Sequence, residues 1–187
     1  MARNDPETAI ITMYSGTHID LLHPDPALIV IDDIAAGLSK INRFSGATFR
    51  PYTVAEHSLL GVEQIVPENR FKWFTHDFSE AYLNDVVGPL KNVLGMAFYR
   101  DLEAAWERVI AERFGIPSKG AKEVRSVDGR MLVTERRDLM GRRPLSTDRH
   151  KPFALHLAAA APSQDWLQQN FLATFYALAR DTEGALI

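Results

Sequence analysis

The chain has 187 residues, 46% hydrophobic and 24% charged, a size and composition suited to one globular domain that needs no covalent staples. It contains no cysteine, so a disulfide scaffold, a thiolate zinc site, an iron–sulfur cluster and a cysteine nucleophile are excluded, and any metal must be held by nitrogen and oxygen. With 21 basic against 24 acidic residues the formal charge is −3, which argues against binding polymeric nucleic acid by bulk charge but leaves room for a local phosphate pocket.

Along the chain, residues 1–27 read as an N-terminal extension, turn-rich at His23–Pro26, with a short strand around Ile10, Ile11 and Met13. The opening residues lack a basic-then-apolar leader pattern. No apolar run approaches the roughly 20 residues of a membrane span, so the expectation is a cytoplasmic protein without a membrane partner. Asp32 is placed to cap a helix carrying Ile34, Leu38 and Ile41 at helical spacing. A loop with Gly46 and Pro51 follows. Thr53 and Glu56 then form a T-x-x-E capping box that starts another helix, with Pro67 as its stop.

The next helix is predicted from Asn69 to about Asn84, followed by a loop over residues 86–91 and a short helix over Leu90–Gly95. Leu102, Trp106, Ile110 and Phe114, four apart, predict a helix over 98–114 stopped by Gly115 and Pro117. Val124, Val127, Met131 and Leu132 mark one over 119–139, residues 141–162 read as loop, and a last helix covers 163–180. The fold expected is all-α, a bundle of about six or seven helices in a single domain over residues 1–187. Trp106, Phe114, Trp166, Phe171 and Phe175 are expected in the core or in a seam between subunits.

Chemistry gathers at His57, at the adjacent His76 and Asp77, and at Asp128, each assigned to a predicted helix. Two imidazoles and two carboxylates from facing helices make a reasonable nitrogen-and-oxygen metal site. Glu80 lies four residues after His76 and three after Asp77, which on a continuous helix puts all three on one face beside Trp73, Phe74 and Tyr82. Desolvation raises a carboxyl's pKa and a nearby cation lowers it, so such a face can hold one carboxylate as ligand and another as proton carrier. His18, His23, His150 and His156 have no partner at ligand spacing and read as exposed or locally bonded.

The H…HD…D order of His57, His76, Asp77 and Asp128 resembles the HD-domain phosphohydrolases. VAEHS around His57 and HDFSEAYLNDVVGPLK from residue 76 are similar to the bacterial 5′-deoxynucleotidase branch and the related phage dATP triphosphohydrolases. The likeness covers about residues 18–140. It implies that His57, His76, Asp77 and Asp128 hold a divalent metal, with Zn, Co or Mn favoured and Mg a candidate second ion. It implies that Glu80 and Asp85 orient water and move its proton, and that Arg43, Lys91 and Arg125 hold phosphate. Phe44 and Pro89 would wall the base and sugar, and Glu135 would support the site without taking part in chemistry. The implied substrate is a deoxynucleotide, attacked at its α-phosphorus to release deoxynucleoside and phosphate or triphosphate. The implied assembly is a homodimer or larger homo-oligomer, in a bacterial cell or a phage-infected host. The alternative is a catalytically silent HD domain that binds nucleotide, but such a domain should have lost at least one of these residues. A two-iron oxygenase on the same scaffold would need histidines between His57 and His76, and there are none.

Overall fold

Thr53 shows how the sequence starts a helix. Its backbone is extended and its hydroxyl accepts the Glu56 N–H, a cap worth about 1 kcal/mol. The return half of the capping box is replaced, because the Glu56 carboxylate takes two hydrogen bonds from the Arg50 guanidinium at 2.8 and 2.7 Å. The computed structural model describes residues 9–141 and 148–184. Residues 1–8 of the expected extension and 142–147 of the expected loop therefore lie outside the described residues.

The chain runs from a hairpin, β1 (Ile10–Thr12) and β2 (His18–Asp20), into α1 (Ile31–Leu38), α2 (Val54–Val62), α3 (Arg70–Phe74) and α4 (Glu80–Leu83). Then come α5 (Gly88–Lys91), α6 (Ala97–Phe114), α7 (Ala121–Leu139) and α8 (Gln164–Gly184). The fold is all-α, with eight α-helices and a two-stranded antiparallel sheet among the described residues. The expected strand is there, paired Ile11 to Ile19. No helix among the described residues is long and apolar enough to cross a membrane.

Several boundaries move. α1 starts at Ile31 after Val30, with no side-chain cap. Asp32 sits exposed in the first turn, and the buried Asp33 instead accepts the Ser15 N–H and hydroxyl at 2.6 and 2.8 Å, tying the hairpin to the bundle. α2 ends at Val62, ahead of Pro67, which begins a 3-10 turn. The helix expected over 69–84 is two short helices joined by a turn at Thr75–Ser79. There the amides of His76, Phe78 and Glu80 bond three residues back rather than four. Gly115 ends α6 in the left-handed region at φ 62°, where a Cβ would be strained.

α2 and α3 form the centre, packed on each other, with α7 against them and α8 against them and α1. Their shared core is aromatic. Phe171 of α8 lies 4.5 Å from Phe74 and 5.6 Å from Phe78, ring centre to ring centre, and Trp106 stacks on Tyr82 at 4.1 Å. Each such side chain contributes roughly 1.5–3 kcal/mol by burial. Trp106, Phe171 and Phe175 are in the core and Phe114 packs against it. Trp166 lies outside the core, half exposed at the start of α8, so of its two expected places only a seam between subunits is left.

Candidate metal centre

α2 delivers His57 one turn after its cap, wholly buried. His76 and Asp77 come from the turn between α3 and α4, so they do not share a helical face with Glu80, which opens α4. The break is stabilised locally, because the Thr75 hydroxyl donates to Phe71 O at 2.8 Å and competes with helix continuation. Asp128 comes from the middle of α7, and Glu135 lies two turns further along. Three separate segments thus converge.

The donor atoms of His57, His76 and Asp128 all lie within 4.8 Å of one another. His57 Nε2 is 3.6 Å from both Asp77 Oδ2 and Asp128 Oδ1, and His76 Nε2 is 3.2 Å from Asp77 Oδ1. Among the described residues neither buried Nε2 has a hydrogen-bond partner. Each ring spends its other nitrogen elsewhere. His57 Nδ1 donates to Glu135 Oε1 at 2.5 Å, and His76 Nδ1 donates to Trp73 O at 2.6 Å. An acceptor at Nδ1 leaves Nε2 with its lone pair, so two unpartnered imidazole lone pairs face two carboxylates. This donor set fits a divalent metal without sulfur. Trp73 packs against both rings, 5.1 Å from His57 and 4.6 Å from His76, which are themselves 5.5 Å apart.

Charge in the cluster is divided. Burial pushes the Asp77 carboxyl up, but His76, His57, Arg43 and Lys91 outweigh it and hold it below the usual value. Burial pushes Glu80 well above the usual range, and the charges of Asp77 and Asp85 add to that. Asp85 is also raised by burial, opposed in part by Arg43. For Glu135 burial acts upward, yet Arg43, His57 and the hydrogen bonds from His57 and Tyr52 bring it to about 2. One carboxyl is thus pushed below its ordinary value and its neighbour above it, the separation that acid–base chemistry uses.

Arg43 stays charged in spite of burial, surrounded by Glu135, Asp77, Asp128 and Glu80. Its guanidinium donates to Asp77 Oδ2 at 3.3 Å. The segment that carries it is strained. Phe44 and Ser45 both sit at positive φ, 57° and 52°, an uncommon pair for residues with side chains. Asn84 is strained too, at φ 65° and ψ 161°, directly before Asp85.

The Arg43–Asp77 pair contributes one residue to each of two cavities. One, about 350 Å³, contains Asp77, His76, Glu80, Lys91 and Arg125 in its wall. The other, about 420 Å³ and mostly apolar, contains Arg43, Phe44, Asp85 and Pro89. Every site residue expected from the sequence therefore falls in the cluster or in one of these walls. Lys91 differs in state, because its ammonium is already paired with Glu103 at 2.6 Å. Sequence reasoning missed Lys72, Glu103 and Glu107 in the polar wall and Leu132, Arg136 and Met140 in the apolar one. Leu132 and Arg136 had a faint signal, being four and eight residues after Asp128 on α7. Of the other four histidines, three are engaged as expected, His18 with Thr12, His23 with Asp20 and exposed His156 with Asp138, whereas His150 is half-buried with its ring against Gly129 of α7.

No family model matches the chain. It is similar to YfdR of Escherichia coli (strain K12), an uncharacterized protein, at 39% identity over 133 residues, 70% of this chain and 72% of that one. It is also similar to an uncharacterized protein of Rhodobacter capsulatus at 37% identity over 115 residues, 57% of this chain and 58% of that one.

Proposed function

The chain belongs to the family of the Escherichia coli protein YfdR, and we propose that it is an HD-type, metal-dependent phosphohydrolase acting on deoxynucleotides. The observation that carries this is the pair of buried, unpartnered Nε2 atoms of His57 and His76 beside Asp77 and Asp128. Those four residues would hold the ion. A divalent metal would supply Lewis-acid charge at a phosphoryl oxygen and make water a better nucleophile near neutral pH.

The protein's own groups have separate tasks. Arg43 offers a buried planar cation to a phosphoryl oxygen, and Arg125 and Lys91 offer further charge in the polar cavity. Glu80 and Asp85 orient the attacking water and carry its proton, which suits carboxyls pushed upward by burial. The new P–O bond forms at the α-phosphorus as the bond to the 5′ oxygen breaks, and that oxygen leaves with a proton as the deoxynucleoside. Phe44 and Pro89 line an apolar cavity of a size to take a base and a sugar. An apolar wall offers a 2′-hydroxyl no partner, which favours deoxyribose.

His76→Ala and Asp77→Ala are expected to abolish release of phosphate or triphosphate while the helical far-UV signal persists. Full turnover in either variant would overturn the proposal. The Lys91–Glu103 ion pair favours a second reading, a nucleotide-binding module without turnover, because it occupies a cation that phosphate would need. That reading requires tight nucleotide binding by the metal-loaded wild type with no product over hours.

A further inference from the structure

We propose that Glu135, braced by Tyr52, is the positioning residue that locks His57 in its Nδ1–H tautomer and thereby presents the Nε2 lone pair to His76 and Asp128. The inference rests on the metal reading above and concerns how this chain prepares the site.

All three residues, Glu135, Tyr52 and His57, are 0% exposed, so any hydrogen bonds they make are to groups inside the protein. They find one another. Glu135 Oε1 accepts from His57 Nδ1 at 2.5 Å and from the Tyr52 hydroxyl at 2.9 Å. A neutral imidazole carries its hydrogen on one nitrogen only. An ionised carboxylate accepts and cannot donate, so the hydrogen belongs on Nδ1 and the lone pair on Nε2. The opposite tautomer would put N–H toward Asp77 and Asp128 and close that nitrogen to a metal. Trp73 and His76, in contact with each other at 4.6 Å, both pack against the ring at 5.1 and 5.5 Å, which restrains its tilt.

The arrangement is directed at His57 rather than at Arg43. The Arg43 Nε and Glu135 Oε2 are 3.4 Å apart, yet neither makes a hydrogen bond. A carboxylate placed simply to neutralise Arg43 would engage it in parallel hydrogen bonds. Oε1 instead accepts both short bonds, one from the ligand histidine and one from the tyrosine that fixes the carboxylate. Carboxylates behind ligand histidines act in this way generally, and losing them costs on the order of 10–100-fold in metal affinity.

The test uses Glu135→Gln and Tyr52→Phe in the full chain. The glutamine is nearly isosteric, but its amide can donate to Nδ1 and so admits the Nε2–H tautomer. Long-range nitrogen–proton NMR on metal-free, histidine-labelled protein reads the tautomer, and Co²⁺ titration by visible absorption reads the affinity. The expected result is a single Nδ1–H species in wild type and a mixture in Glu135→Gln. Co²⁺ affinity should fall on the order of 10–100-fold in Glu135→Gln and less in Tyr52→Phe. A pure Nδ1–H species and unchanged Co²⁺ affinity in Glu135→Gln would overturn the inference. If that variant does not fold, Tyr52→Phe removes only a hydroxyl, and unchanged Co²⁺ affinity there would overturn it equally. Wild type that takes up no Co²⁺ overturns the metal reading, while the tautomer spectra of the same metal-free samples still decide the lock.

Discussion

Gly61→Ala should damage this protein more than any other single-methyl addition in α2. A Cβ at Gly61 would lie 1.9 Å from Trp73 Cζ2, 2.2 Å from Cε2 and 2.6 Å from Nε1. Carbon atoms rest at about 3.5–4.0 Å, so the indole edge would have to retreat by roughly 1.5 Å or more. Trp73 has no free side to retreat to. It is fully buried, its N–H is held by Ser58 O at 2.9 Å, and its ring packs against both His57 and His76. Overpacking of this kind costs about 1–3 kcal/mol, and the depth of this overlap puts it at the upper end. Replacing a helical glycine by alanine returns about 1 kcal/mol. The net loss is about 2 kcal/mol, or about 4–8 °C in Tm for a chain of this size. Thermal unfolding followed by circular dichroism reads it. Co²⁺ affinity should fall as well, because the carbonyl that fixes His76 belongs to Trp73. A Tm equal to or above wild type would refute the packing on which both histidines depend.

Other expectations follow from charge and strain. Glu135 falls from the usual 4.5 to about 2 on folding, so its stabilisation is complete above pH 4.5 and is lost as pH falls toward 2. At about 1.4 kcal/mol per pH unit this is roughly 3 kcal/mol, and Glu135→Gln should flatten the acid side of a stability–pH curve; parallel curves would refute it. Glu80 moves the other way, so its cost to the folded state grows as pH rises above 4.5 through its raised pKa. Glu80→Gln should therefore raise the Tm of the metal-free protein at pH 8 while removing activity, and a lowered Tm would contradict the burial assigned to this carboxyl. Asn84→Gly relieves a backbone strain of about 1–3 kcal/mol, offset by about 1 kcal/mol of chain entropy. The variant should keep or gain stability and lose kcat through a looser mount for Asp85, whereas a sharp drop in Tm would show that Asn84 is not strained.

Much of the framework was legible because its signals are local. The Thr53 cap, the four-residue spacing from Leu102 to Phe114 and the Gly115 stop each act within a turn or two of chain. The break at Thr75 was not legible. Phe71, Trp73, Phe74 and Phe78 are all buried on a segment that carries no glycine or proline, so the apolar pattern resembles a continuous helix. The Asp32 assignment failed for a related reason: the capping motif was present, but the adjacent Asp33 was engaged by Ser15, 18 residues earlier. Within the site, residue types were readable and partnerships were not. Lys91 is a cation in any sequence reading, but its partner Glu103 stands twelve residues on, in α6, and only the fold brings the two together. The His57–Glu135 bond joins residues 78 positions apart, and only the fold makes them neighbours.

The central claim is hydrolysis at the α-phosphorus of a deoxynucleotide by a metal-loaded site. Phosphorus NMR of dAMP, dGMP, dATP, dGTP and ATP, incubated with Co²⁺-, Mn²⁺- or Zn²⁺-loaded protein, tests it most directly. The expected spectrum shows inorganic phosphate from a deoxynucleoside monophosphate, or triphosphate from a deoxynucleoside triphosphate, and neither product after exhaustive chelation. Unchanged substrates with every metal, or equal turnover in the chelated protein, would contradict it.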